Sequence, residues 1–118
     1  MNRMVLSATL VERAAPRYTP AGLPALDLCL KHESEVSEDS QPRKVSMEIK
    51  AVAIGAVTQR LAPLELGSTS LYAGFLTSTR NGRGLLFHIT SFEADPAPIL
   101  MTPETADETL LSGSNQFK

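Results

Sequence analysis

The sequence predicts a small all-β fold, a closed barrel of five strands with one short helical connector between the third and fourth strands. Apolar and polar residues alternate with a period of two in five separate segments. Segments rich in glycine, proline and asparagine separate these strands. With 118 residues, of which 42% are hydrophobic and 20% charged, the chain has the size and composition of one globular domain.

A wide loop is predicted between the first two strands. Residues 4–11 alternate between two faces, as a strand does. Three prolines and a glycine among residues 13–24 exclude both a helix and a central strand there. Leu26, Leu28 and Leu30 then alternate with more polar residues and predict the second strand.

An acidic segment precedes the third strand. Residues 33–42 contain four acidic residues and a single apolar one, so we expect a mobile loop that cannot offset its ordering entropy by burial. Residues 44–50 alternate between polar and apolar types, and the third strand continues to residue 54. Residues 55–62 suit about two turns of helix, which Pro63 ends.

The last two strands form a predicted hairpin. Residues 69–79 make the fourth strand, with Leu71 and Phe75 on the face expected to be buried. Asn81 and Gly82 suit the positive φ angles of a tight turn. The fifth strand follows and ends near residue 93.

Charge divides the chain into two parts. Residues 1–93, the predicted barrel domain, carry a net charge of +1, whereas residues 94–118 carry −3, which gives −2 for the whole chain. The second part has no sustained periodicity, and we expect it to be an acidic, mostly disordered tail. A net charge of +1 produces only a weak electrostatic field, so attraction of a polyanion would depend on local clusters of cations.

The predicted order of elements matches the OB-fold, a five-stranded Greek-key barrel. The helix between strands three and four and the long loops after strands one and two are typical of it. OB-folds bind oligonucleotides or oligosaccharides on strands two and three and on the flanking loops. The fold therefore favours a nucleic-acid-binding function.

Four segments resemble the primosomal replication protein N (PriB) family of single-strand-binding OB-folds. They are residues 2–10, residues 19–24 (Thr-Pro-Ala-Gly-Leu-Pro), residues 30–34 (Leu-Lys-His-Glu-Ser), and residues 74–76, 81–82 and 87–89 of the closing hairpin. The resemblance covers residues 2–93. It implies a homodimer that binds single-stranded DNA at stalled replication forks and contacts the primosomal helicase and a loader protein.

The resemblance also implies where DNA is bound. Arg17 stands at a basic position of the first loop, Arg43 at the entry to the third strand, and Arg80 and Arg83 in the last hairpin. Better-known members carry an exposed tryptophan for base stacking at the position of Ser46. This departure predicts weak, strongly salt-dependent binding.

Single-strand binding surfaces combine a cationic groove with aromatic platforms. Tyr18 and Tyr72 are the candidate platforms, because Phe75 and Phe87 are expected to fill the core. The predicted DNA-binding residues are Arg17, Tyr18, Arg43, Lys44, Ser46, Lys50, Arg80 and Arg83.

A second interpretation stays open, an OB-fold module that binds a protein and has little affinity for DNA. Ser46 favours it, as does Glu33, which stands where the family has an arginine. A housekeeping single-strand-binding protein is disfavoured, because the chain has no tryptophan and only six other aromatic residues.

Catalysis, metal binding and cofactors are not predicted. His32 and His88 have no metal-ligating partner at suitable spacing, and the lone Cys29 lies within a strand. The sequence contains neither a nucleophile elbow nor a phosphate-binding glycine loop. No apolar run is long enough for a membrane span or a signal peptide, so a cytoplasmic location is expected.

Overall fold

A computed structural model describes residues 1–94. It is almost entirely β-structure, as the alternating segments predict. Its elements are β1 (Met4–Arg13), β2 (Arg17–Tyr18), β3 (Pro24–Glu38), β4 (Gln41–Ile54), α1 (Val57–Leu61), β5 (Thr69–Ser78) and β6 (Leu85–Ala94). The predicted tail lies outside the described residues, apart from residue 94, which ends β6.

Five long strands close into a barrel, which confirms the predicted OB-type fold with its helix between the third and fourth long strands. The strand order is β1-β5-β6-β4-β3-β2. β1 closes the barrel because its first half pairs with β5 and its second half with β3. The pairing of β4 with β6 is parallel, and Ala51 lies opposite Phe87 there. These two strands therefore begin at the same end of the barrel.

Leucines and aromatic rings from four of the five long strands fill the barrel, and β4 contributes the small residues Ala51 and Ala53. Leu10, Leu26, Leu30 and Phe87 are completely buried. The helix α1 contributes Leu61, which is also completely buried and packs in the same core cluster. The alternating leucines of β3 point inward, as the sequence predicts.

The inward face of β5 differs from the prediction. Tyr72 is completely buried, whereas Leu71 and Phe75 are 37% and 38% exposed. The prediction of Tyr72 as a stacking platform and of Phe75 as a core residue is therefore wrong. Both faces of β5 carry apolar residues, so alternation alone does not choose between them. The pairing of Tyr72 with Leu6 of β1 settles the orientation.

The predicted mobile loop at residues 33–42 is a regular β-ribbon. β3 and β4 pair without interruption from Ala25 opposite Ile54 to Glu38 opposite Gln41. Asp39, at φ 52°, and Ser40, at φ 63°, form the two-residue turn. Composition fails to predict this ribbon because cross-strand hydrogen bonds and facing opposite charges stabilise it without a buried core.

Within residues 1–94, no helix has the length and hydrophobicity needed to cross a bilayer.

Candidate nucleic-acid interface

The side chains of β3 and β4 that point away from the barrel core define a surface, here called the outer face. Both strands carry charges of both signs on it. Its members are Asp27, Cys29, Lys31, Glu33 and Glu35 of β3, and Lys44, Ser46, Glu48, Lys50 and Val52 of β4. Acidic residues outnumber the lysines on it. The outer face by itself is therefore not a basic surface.

Three of the predicted DNA-binding residues, Lys44, Ser46 and Lys50, lie together on the outer face. Their positions two or four residues apart on β4 give them the same orientation. Arg43 is on the opposite face of the ribbon, where its Nε lies 2.9 Å from Oε1 of Glu38. The structure therefore does not bring Arg43 together with the other three.

Arg17 and Tyr18 lie at the far end of the barrel from Lys44. Arg17 pairs with Ala25, and Ala25 pairs with Ile54. Ten residues of β4 separate Ile54 from Lys44, a span of about 34 Å. Tyr18 is 73% exposed and is free to contact a ligand there.

Asp27 holds the guanidinium of Arg17 in a bidentate ion pair. Nε donates to Oδ2 at 2.7 Å and Nη2 to Oδ1 at 3.0 Å. The hydrogen bond from Arg17 lowers the pKa of Asp27, and the same pair raises the pKa of Arg17. Asp27 therefore competes with any phosphate for Arg17.

Arg80 and Arg83 project from the hairpin between β5 and β6, and both are exposed. Asn81 organises this turn, because its Oδ1 accepts hydrogen bonds from the Thr79 hydroxyl at 2.7 Å and from the Arg83 amide at 3.0 Å. Gly82 supplies the positive φ of 73° that the sequence predicts, whereas Asn81 does not adopt a positive φ. Since β4 and β6 run parallel, the hairpin leaves the barrel at the same end as the β3–β4 ribbon.

Five of the ten lysines and arginines in residues 1–94 are engaged by other protein groups. Arg17, Lys31 and Arg43 form ion pairs, and Arg13 and Arg60 donate to backbone carbonyls. The side chains of the other five have no ion pair or hydrogen bond within the described part of the chain. They are Arg3, Lys44, Lys50, Arg80 and Arg83.

An open cleft of about 320 Å³ lies on the outer face beside Lys50 and Leu86. Cys29 lines it, and its Sγ lies 3.8 Å from Oε1 of Glu48. Partial burial is the main cause that raises the pKa of the Cys29 thiol, and the negative charges of Glu48 and Glu12 raise it further. The thiol stays protonated near neutral pH and is a poor nucleophile.

Three of the five phenylalanine and tyrosine rings within residues 1–94 are unavailable for base stacking. Tyr72 and Phe87 are buried, and Phe92 stacks on Tyr72 at 5.9 Å with the guanidinium of Arg60 over its ring at 4.5 Å. Phe75 is different, because its exposed ring stacks on His88 of the neighbouring strand. This pair is not predictable from the sequence, because only the β5–β6 register brings the two residues together.

His32 has a structural role. Its Nδ1 lies 2.6 Å from the carbonyl oxygen of Ser7, and its Nε2 lies 2.8 Å from Oγ of Ser34. No group of three or more His, Cys, Asp or Glu residues suited to holding a metal ion is present in the described range, residues 1–94.

Comparison with known proteins identifies the family. The model of a family described as "another single-strand binding protein family" matches residues 2–91. The replication restart protein PriB of Bordetella pertussis is 50% identical over 80 residues, which are 68% of this chain and 75% of that protein. The chain belongs to the PriB family.

Other members of the PriB family support this. The PriB of Nitrosomonas europaea is 32% identical over 89 residues, 75% of this chain and 82% of that protein. The solved structure of PriB from Ralstonia solanacearum superimposes with a TM-score of 0.73 at 36% identity, covering 80% of this chain and 97% of that one. The resemblance noted in the sequence is therefore confirmed.

Proposed function

We propose that this chain binds single-stranded DNA through Lys44, Lys50, Arg80 and Arg83. The observation that carries the proposal is that these four cations lack internal partners within residues 1–94 and lie on β4 and the β5–β6 hairpin. Both elements extend toward the same end of an OB barrel. Membership of a single-strand binding protein family supports the same ligand.

Binding is passive, by contact with phosphates, and needs no catalytic group. Arg80 and Arg83 supply planar guanidinium groups that match phosphate geometry, and Lys44 and Lys50 act as point charges. Ser46 lies between the two lysines on β4 but offers no ring for stacking. The acidic residues of the outer face oppose the polyanion, so the affinity is low.

The affinity should depend strongly on salt. If each of the four cations neutralises one phosphate, log K is expected to fall with log salt concentration at a slope of about −3, because each phosphate of a single strand contributes about 0.7. Anisotropy titrations of labelled oligo-dT at several potassium chloride concentrations measure this slope. A slope near zero would contradict electrostatic binding.

Removal of the Asp27 carboxylate should strengthen binding. The change Asp27→Asn releases Arg17 from its bidentate partner and removes one negative charge from the outer face. We expect the affinity for oligo-dT at low salt to rise about three-fold, a gain within the range of one exposed charge interaction. Glu65→Gln, which removes the same charge from the loop after α1, serves as the control and should leave the affinity unchanged.

The chain acts as a homodimer in the cytoplasm, in the restart of stalled replication forks, and presents the strand to the primosomal helicase and a loader protein. The identity of its relatives, which are replication restart proteins, supports this role. Sedimentation equilibrium tests the dimer, and pull-down with the purified helicase tests the partner.

A second candidate function is protein binding with little DNA affinity. The acidic character of the outer face favours it, since Glu33 lies directly opposite Ser46 and Glu35 directly opposite Lys44. Such a surface attracts basic protein segments and repels phosphate. Charge reversal in the β5–β6 hairpin distinguishes the two functions.

A further inference from the structure

The stacked pair Phe75–His88 stands on the outside of the barrel. The two rings are 4.7 Å apart between centroids and 12° from parallel. They are direct cross-strand neighbours on β5 and β6, and the ring of Phe75 remains 38% exposed. Apart from Tyr18, no other phenylalanine or tyrosine within residues 1–94 is exposed.

A cation stands next to this pair. The Asn2 side chain binds the backbone of Leu76 just beyond the last β1–β5 pair, Met4 opposite Gly74: its Nδ2 donates to the carbonyl oxygen at 2.6 Å, and its Oδ1 accepts from the amide at 3.0 Å. Continued by one residue, the pairing of Met4 with Gly74 brings Arg3 level with Phe75. Arg3 is exposed and is one of the five cations without an internal partner within the described residues.

The other flank of the pair leads toward the proposed DNA surface. His88 pairs with Val52 of β4, and Lys50 lies two residues away on the same face, a distance of about 7 Å along the strand. On β3, Asp27 lies directly opposite Val52, and the negative charge of Asp27 is neutralised by its ion pair with Arg17. Cations therefore lie on both sides of the aromatic pair.

We propose that Phe75 and His88 form a stacking platform for a base of single-stranded DNA, and that Arg3 contacts the adjoining phosphate. This inference rests on the proposed function and extends it, because it places a base contact on β5 and β6, beyond the outer face of β3 and β4. It supplies the aromatic component that Ser46 does not.

The observations favour a nucleobase over a protein side chain as the occupant. A flat ring pair offers a π-face to any base, and stacking is independent of sequence. A neighbouring guanidinium suits the phosphate that every nucleotide carries. Nearby Val5 and Leu71 are exposed as well. The alternative to be tested is therefore that this face binds a protein.

The absence of tryptophan from the chain allows a direct test. Phe75→Trp introduces a single fluorophore at the platform, and Leu66→Trp introduces one at an exposed site after α1. Addition of unlabelled oligo-dT should quench the emission of F75W and leave that of L66W unchanged. Anisotropy of labelled oligo-dT, recorded in parallel, reports whether DNA binds at all.

The fluorescence and anisotropy measurements together distinguish failure of the platform proposal from failure of the proposed DNA binding. Unchanged F75W emission while the anisotropy rises would overturn the platform and leave DNA binding intact. A flat anisotropy for both variants and for the unaltered chain would overturn the proposed function itself. Quenching of F75W by the purified helicase and not by oligo-dT would assign the face to a protein.

A loss-of-contact series completes the test. Phe75→Leu keeps an apolar side chain but removes the ring, and the affinity for oligo-dT is expected to fall about ten-fold. Affinity for an abasic strand of equal length should not change. Arg3→Gln should reduce the salt slope by about 0.7. Equal loss on both strands for F75L, at an unchanged thermal midpoint, would overturn the platform.

Discussion

Exchange of both Arg80 and Arg83 for glutamate is expected to weaken binding of single-stranded DNA about 30- to 100-fold at low salt. Each reversal replaces an attraction to phosphate by a repulsion of similar size. The interaction of two unit charges at contact is about 1 kcal/mol in water, so each reversal changes the binding free energy by up to about 2 kcal/mol. Screening by salt reduces the combined loss of binding free energy for the two reversals to about 2–3 kcal/mol. The two side chains have no internal partner within residues 1–94, so the exchange breaks no ion pair there.

Arg80→Lys with Arg83→Lys is the matched control, since it keeps both charges and should retain most of the affinity. Anisotropy of labelled oligo-dT measures all three proteins, and their thermal midpoints show whether the hairpin still folds. Equal affinities for the glutamate variant and the unaltered chain would remove the hairpin from the DNA interface. They would favour the protein-binding alternative.

Gly74→Ala is expected to destabilise the barrel by about 3 kcal/mol or more. A Cβ atom at this position would overlap the backbone carbonyl of His88, with the carbonyl carbon only 2.8 Å away. Gly74 is buried, and the register of β5 against β6 shifts between Ala73 and Gly74. A backbone atom cannot turn aside as a side chain can, so the two strands must separate.

Thermal unfolding followed by circular dichroism measures this effect. For a domain of this size, a loss of 3 kcal/mol corresponds to a fall of about 12–24 °C in the midpoint. Gly84→Ala is the control, because its Cβ would meet only the Thr79 side chain at 3.5 Å. Its midpoint should change by no more than a few degrees. Equal midpoints for the two variants would contradict the close packing of β5 on β6.

The strands and their succession along the chain are predictable from the sequence, because the alternation of apolar and polar residues is a local property. The inward leucines of β3 and the turn at Asn81 and Gly82 were predictable for this reason. Which face of β5 points inward is not predictable in this way, because Leu71 and Tyr72 are both large and apolar. Only the pairing with β1 decides which of the two is buried. The β3–β4 ribbon was missed because cross-strand pairing, and not burial, stabilises it.

The site was predictable only in part. The basic residues of β4 and of the last hairpin are visible in the sequence, but their partners are not. Asp27 lies ten residues from Arg17 in the chain yet holds it in an ion pair. Arg3 and Phe75 are 72 positions apart, and only the β1–β5 register, which ends at Met4 opposite Gly74, indicates that they lie level with each other. Which cations remain available is therefore a property of the folded barrel.

Titration with single-stranded and double-stranded DNA tests whether the unpaired cations of the barrel form a single-strand site. Labelled oligo-dT and a duplex of equal length are titrated with the protein at a low and a near-physiological salt concentration, and the anisotropy is recorded. We predict tighter binding of the single strand than of the duplex, with an affinity that falls steeply between the two salt concentrations. Absence of single-strand binding at low salt, or an affinity that salt does not change, would contradict it.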